Sequence, residues 1–126
     1  MFAPLLFRTE QPWFYTVYNT LGYGFLEKVY ENALIIELEK LGFRVEQQQD
    51  ITVYYNNTPV GKYFADIVVN GVIILELKTV DELNESHKAQ LINYLKATNK
   101  EVGLLLNFAK KPQVKRVIFT NDRKKI

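Results

Sequence analysis

The hydrophobic pattern near the start of the chain predicts two helices. Apolar residues spaced three and four apart continue to Leu21, and a second such series runs from about Phe25 to Leu41. Thr9 has the residue type of a helix N-cap, and Pro12 would then stand in the first turn. Gly42 has the residue type expected just beyond a helix C-terminus.

The middle of the chain has the pattern of three strands separated by turns. These segments are FRVEQQQDITVYY, expected to bend or bulge near Gln49-Asp50, then VGKYFADIVV, then VIILELKTV. A helix capped by Asn84 should follow and run to about Thr98. The apolar strand VGLLLNF and a final edge strand, VKRVIFT, complete the series.

The order of these elements predicts the sheet topology. Because a helix separates the third strand from the fourth, these strands should be parallel neighbours joined by a right-handed crossover. The continuous apolar runs at 72–75 and 104–106 indicate strands that are covered on both faces. We therefore predict an α/β (α+β mixed) fold, with one domain over residues 1–126 and helices flanking a mixed sheet.

Charged residues interrupt the two strands that otherwise have the most apolar sequences. Glu76 and Lys78 share one face of their strand, and Asp66 stands among apolar residues of the preceding strand. Burying an unpaired charge costs several kcal/mol or forces the group to become neutral. A buried ion pair would account for one acid and one lysine. Two acids leave a surplus negative charge, which a divalent cation would balance.

The connection between these two strands decides whether Asp66 and Glu76 can meet. A two-residue Asn70-Gly71 loop would point the two carboxylates to opposite faces. We therefore predict a three-residue loop of Val69, Asn70 and Gly71, with Gly71 left-handed and Val68 paired with Val72. In that register the two carboxylates are diagonal neighbours.

Composition limits the possible chemistry. The chain has no cysteine and a single histidine, His87, so disulfides, thiolate-bound zinc and multi-histidine metal sites are excluded. Any metal would be held by oxygen, which favours magnesium, manganese or calcium. No apolar run approaches the length of a membrane helix, and no basic leader precedes the first apolar patch. We expect a cytoplasmic protein without a membrane partner.

The C-terminal end is basic. Residues from Leu106 to Ile126 include seven basic residues and one acidic residue, a net charge of +6. Such a segment could contact a polyanion, or it could be a solvated edge strand on which lysine discourages unwanted pairing. The candidate nucleic-acid contacts are Lys110, Lys111, Lys115 and Arg116.

The charged residues of the two strands also resemble a known pattern. Asp66 followed by Glu76-Leu77-Lys78 is similar to the signature of the PD-(D/E)XK nuclease superfamily. The segment GFLEKVYENAL, with Gly24, Glu27 and Tyr30, resembles the small bacterial family of that superfamily named for its GxxExxY motif. The resemblance extends from about Val17 to Arg116.

The resemblance implies a restriction-endonuclease-like core and a metal-dependent nuclease. Asp66, Glu76, the carbonyl of Leu77 and Glu27 would hold Mg²⁺, with Mn²⁺ as a possible substitute. Lys78 would orient the attacking water. Glu27 on its own is also typical of a first-turn glutamate that interacts with the helix dipole.

A further element of the resemblance lies on the later helix. Gln90 and Tyr94 are four residues apart and resemble a QxxxY element that supports the acids or the phosphate. Without the resemblance, they could equally be the polar edge of an amphipathic helix. We expect His87 to have a capping or surface role.

Two positions depart from the family pattern. Val17-Tyr18 stands where valine-histidine is expected, which puts a role of the first helix in doubt, and Ala65 replaces the usual proline before Asp66. The resemblance favours DNA as the nucleic acid and allows a homodimer. The alternatives are a catalytically silent nucleic-acid- or protein-binding module, and a structural subunit in which Asp66, Glu76 and Lys78 form only a buried charge network.

Overall fold

The structure, a computed structural model, describes residues 11–125. Within this range three helices and five strands follow in the predicted order. They are α1 (Pro12–Leu21), α2 (Glu27–Lys40), β1 (Val45–Tyr55), β2 (Thr58–Val69), β3 (Ile73–Lys78), α3 (Glu85–Lys96), β4 (Val102–Asn107) and β5 (Gln113–Ile118). A short 3-10 helix, Asn121–Arg123, follows β5.

The five strands form one mixed sheet whose spatial order is the order of the sequence, β1 to β5. β3 and β4 are parallel, and every other neighbouring pair is antiparallel. Helix α3 provides the connection between the parallel strands, as a crossover requires. The predicted mixed sheet with an edge strand at its C-terminal end is confirmed.

Helices cover both faces of the central strands. One buried cluster joins α1 and α2 to one face of the sheet, and a second joins α3 to the other face. Leu75 belongs to the first cluster and Ile74 to the second, so neighbouring residues of β3 enter different cores. This double burial explains why the sequence of β3 is almost continuously apolar. Among the described residues, no helix is long and apolar enough to cross a membrane.

The helix ends agree with local sequence signals to within about two residues. Helix α1 begins at Pro12, with Gln11 before it, and the predicted cap Thr9 lies outside the described residues. Helix α2 starts two residues later than predicted and ends in a Schellman motif. There Gly42 has φ +88° and donates its N–H to Glu39, and Phe43 donates its N–H to Leu38.

The turn between β2 and β3 has three residues, as predicted, but its position was predicted wrongly by one residue. Val69 pairs with Ile73, so the loop is Asn70, Gly71 and Val72, and Val68 pairs with Ile74 rather than with Val72. The reason is a pair of hydrogen bonds between Asn70 and Arg44, which ties Asn70 to the start of β1. Gly71 has φ +68°, the predicted left-handed conformation.

Candidate metal centre

The loop position sets the geometry of the two candidate acids. Continuing the register beyond Ile67 and Leu75 places Asp66 directly opposite Glu76, rather than diagonal to it as predicted. At this point the two carboxylates, instead of backbone carbonyls, accept backbone N–H groups of the opposite strand. The N–H of Asp66 donates to Glu76 Oε2 at 2.7 Å, and the N–H of Leu77 donates to Asp66 Oδ2 at 2.9 Å. Each carboxylate is thus held by the opposite strand.

Strand β2 changes face at Asp66. Residues two apart on a strand normally share a face, yet Ala65 packs in the α3 core and Ile67 in the core of α1 and α2. On the neighbouring strand, Gln48 has φ +50°, and the ladder passes from Gln47–Ile67 to Gln49–Ala65 without it. This irregularity lies one residue before the predicted bend near Gln49-Asp50. Because the ladder skips Gln48 and Asp66, the N–H of Asp66 can donate to the Glu76 carboxylate.

Burial makes both carboxylates difficult to ionise. Glu76 is only 4% exposed, and burial together with the charge of Asp66 raises its pKa to about 8. Burial also raises the pKa of Asp66, and the charge of Glu31 acts in the same direction. The charge of Lys78 favours ionisation of both acids but is a lesser influence than burial. When both carboxylates are ionised, their charge exceeds that of Lys78 by one negative charge.

Helix α3 brings two predicted residues to this site. Lys78 Nζ donates to Gln90 Oε1 at 3.2 Å, which orients the lysine side chain. Tyr94 lies one turn further along, close enough for the Gln90 side chain to influence the pKa of its hydroxyl. Burial raises its pKa, and the charges of Glu76 and Asp66 contribute to the increase. His87 has the predicted capping role, because its Nδ1 accepts the N–H of Asn84 at 3.1 Å.

Glu27 approaches the same charges from the start of α2. Burial raises its pKa, the charge of Lys78 opposes this, and the charge of Asp66 adds to it. The backbone of Thr79 has a smaller effect on the pKa of Glu27, in the lowering direction. The buried Tyr30 fixes the preceding loop, since its hydroxyl donates to the Gly22 carbonyl at 2.7 Å and accepts the Phe25 N–H at 3.2 Å. The first turn of α2 is therefore held beside the end of β3.

Behind Asp66 lies a polar network that was not predicted from the sequence. Glu31 is only 4% exposed and accepts hydrogen bonds from Gln47 Nε2 at 2.6 Å and Gln48 Nε2 at 3.0 Å. The same Gln48 nitrogen lies 3.4 Å from Asp66 Oδ1, so Gln48 connects the two acids. The available signals were the four-residue spacing of Glu27 and Glu31 and a run of three glutamines inside a strand.

The donor set was tested for its fit to a divalent cation. No cluster of three or more acidic, histidine or cysteine side chains that could hold a metal occurs among residues 11–125. Magnesium, however, commonly uses one or two carboxylates and keeps several waters. Asp66 and Glu76 are hard oxygen donors on facing strands, and a bound cation would favour the ionised form of both against the cost of burial. These residues fit a hydrated Mg²⁺ or Mn²⁺ ion.

The four basic residues predicted to contact nucleic acid do not share one surface. Lys110 and Lys111 are exposed in the loop between β4 and β5. Lys115 and Arg116 are successive residues of β5 and point to opposite faces of the sheet. The structure therefore separates them into at least two regions.

The chain is similar to a known protein family in sequence and to a solved structure in fold. The family model described as the PD-(D/E)XK nuclease superfamily matches residues 8–117. No curated protein gave a match. Among solved structures, the crystal structure of SSO0001 is similar with a TM-score of 0.59 at 18% identity, over 75% of this chain and 50% of that one. This likeness concerns the fold alone, and the match spans half of that protein. Since the family match covers most of the sequence, the chain belongs to the PD-(D/E)XK nuclease superfamily.

Proposed function

We propose that this protein is a metal-dependent nuclease that hydrolyses phosphodiester bonds of nucleic acid, with DNA as the substrate. Superfamily membership supports nuclease activity. The observation that carries the proposal is the placement of Asp66 opposite Glu76, with Lys78 two residues further along the same strand. Membership of the GxxExxY family, a homodimeric state and a cytoplasmic location remain predictions.

Asp66, Glu76 and the carbonyl of Leu77 would hold Mg²⁺ or Mn²⁺. Once bound, the ion would supply Lewis-acid polarisation of the scissile phosphate and a water of lowered pKa. Lys78, oriented by Gln90, would position the attacking water and stabilise negative charge that develops on the phosphoryl oxygens. Glu27 would complete the acidic rim, and Tyr94 would support Gln90.

The test is a cleavage assay on single-stranded and duplex DNA with Mg²⁺, with Mn²⁺ and with EDTA. We expect cleavage only with metal, and a decrease of about 100-fold or more in Asp66→Asn and Lys78→Met. Asp50 and Lys62 offer matched controls, because they form an exposed cross-strand ion pair at 3.2 Å on β1 and β2. Asp50→Asn and Lys62→Met should cleave at the wild-type rate.

The alternative functions predict different results. Nucleic-acid binding without any cleavage by the wild-type protein would overturn the nuclease proposal and favour a silent binding module. Wild-type cleavage that survives Asp66→Asn would show that the reaction occurs elsewhere on the protein.

A further inference from the structure

A groove of about 950 Å³ opens beside the candidate metal centre. The β1–β2 hairpin lines it with Val60 and Tyr63, and the segment after β5 lines it with Phe119 and with residues 123–125. Helix α3 forms the floor, and its residues Gln90 and Tyr94 line both the groove and the metal centre. The groove therefore adjoins the candidate metal centre through these two side chains.

The charges that line this groove are all positive. Lys96, Arg123, Lys124 and Lys125 line it, and no acidic residue does. Lys96 and Arg123 both approach the ring of Phe119, with Nζ at 5.5 Å and Cζ at 4.5 Å from its centroid. Within the described part of the chain, neither forms an ion pair with a carboxylate. Phe119 thus holds two unneutralised cations side by side.

Lys124 has a different role from its basic neighbours. Its Nζ donates to the carbonyl oxygens of Thr98 and Lys100 and to the side chain of Asn121. Burial lowers its pKa. These contacts tie the C-terminal segment to the end of α3 and fix the position of Arg123 beside the groove.

An exposed aromatic ring also lines the groove, next to Tyr94. Tyr63 is 49% exposed, and its ring centroid lies 5.7 Å from that of Tyr94. A base can stack on such a ring only when it is unpaired, because in a duplex the base faces are already covered by neighbouring bases. Cations for phosphates combined with an open ring for bases are the features of a single-strand groove.

We infer that this groove binds one unpaired nucleic-acid strand and leads it into the metal centre, with phosphates on Lys96 and Arg123 and a base on Tyr63. The inference rests on the proposed nuclease function and defines its substrate class. From Gln90 to Lys96 the helix rises about 9 Å. The cations would therefore contact the strand a few nucleotides from the scissile bond.

Binding can be measured separately from cleavage by fluorescence anisotropy in EDTA. The probes are labelled oligothymidylate and oligouridylate of about twelve nucleotides and a DNA duplex of equal length. We expect tighter binding of the unpaired probes, and a loss of about tenfold or more in Lys96→Ala/Arg123→Ala. In single-strand binding, each phosphate contact contributes about 0.7 to the slope of log K against log salt concentration. Removing two such contacts should therefore reduce the size of that slope by about 1.4.

Tyr63→Ala should weaken unpaired-probe binding about fivefold or more through loss of stacking. Two variants outside the groove are matched controls, Lys88→Ala on the same helix and Tyr55→Ala on the same hairpin, where Tyr55 is 67% exposed. Both should bind as the wild type does.

Several results would overturn the inference. These are equal or tighter binding of the duplex, unchanged affinity in the groove variants, or a larger loss in Lys110→Ala/Lys111→Ala than in Lys96→Ala/Arg123→Ala. Cleavage of the same probes with Mg²⁺ separates the two proposals. Groove-dependent binding without cleavage contradicts the nuclease function alone, whereas cleavage with normal binding by the groove variants contradicts the groove alone.

Discussion

Replacing Glu76 with glutamine should make the metal-free protein more stable at alkaline pH. Glu76 is almost fully buried, and its Oε2 accepts the N–H of Asp66. Glutamine has the same shape and keeps an oxygen acceptor for that bond, but it carries no charge. The substitution therefore removes the buried charge while leaving the tie between β2 and β3 in place.

The magnitude follows from the pKa of Glu76. A pKa of about 8 in place of the ordinary 4.5 makes ionisation in the folded protein less favourable by up to about 5 kcal/mol. Between these two pH values the unfolded chain has lost the proton and the folded protein retains it, so wild-type stability falls as pH rises. Above a pH of about 8 the free energy of unfolding of the wild type falls no further through this group. The advantage of the variant should grow across the same range.

The assay is urea denaturation in EDTA at several pH values from 5 to 9, comparing wild type, Glu76→Gln and the exposed control Glu39→Gln. The free energy of unfolding of Glu76→Gln should exceed that of wild type by several kcal/mol at the alkaline end and by little at the acidic end. The control should follow the wild type. Equal stability of Glu76→Gln and wild type at pH 9 would refute the reasoning, because it would mean that the carboxylate carries no burial penalty.

Three further predictions test the site and its supports. Millimolar Mg²⁺ should raise the melting temperature of wild type but not of Asp66→Asn, since a ligand that binds only the folded state stabilises it; equal shifts in thermal melts would contradict this. Gly71→Ala should cost about 1–2 kcal/mol in urea denaturation, because residue 71 has φ +68°; an unchanged midpoint would contradict it. Tyr30→Phe should cost about 1–3 kcal/mol by leaving the Gly22 carbonyl and the Phe25 N–H without their partner, and cleavage should slow because Glu27 is then less firmly placed; unchanged stability and rate would contradict it.

The sequence was sufficient for the order of the elements and for the proximity of Asp66 and Glu76 on neighbouring strands, although not for their directly opposite positions. The helix between two apolar strands required a parallel pair, and a face shared by Asp66 and Glu76 required an odd loop. The loop position was missed because it depends on a contact between Asn70 and Arg44, residues 26 positions apart. No local pattern encodes such a contact.

The network behind Asp66 was missed for a similar reason, because the spacing of Glu27 and Glu31 and the run of glutamines do not show which residues meet. Glu31 contacts Gln48 only after α2 has packed near β1. The left-handed conformation at position 48 could not be predicted either, because the residue there is glutamine and not glycine. The basic groove was missed because its cations come from distant segments. Lys96 and Arg123 meet only across the ring of Phe119.

The exchange of hydrogen bonds between Asp66 and Glu76 has a practical consequence for anyone who wants an inactive form of this protein. One oxygen of each acid accepts a backbone N–H of the opposite strand, so alanine at either position would weaken the pairing at the end of the sheet as well as remove a proposed metal ligand. A loss of activity in an alanine mutant could then result from local unfolding of the sheet and not from the loss of a functional group. Asparagine and glutamine keep the accepting oxygen, and they are the replacements from which a catalytic role can be deduced.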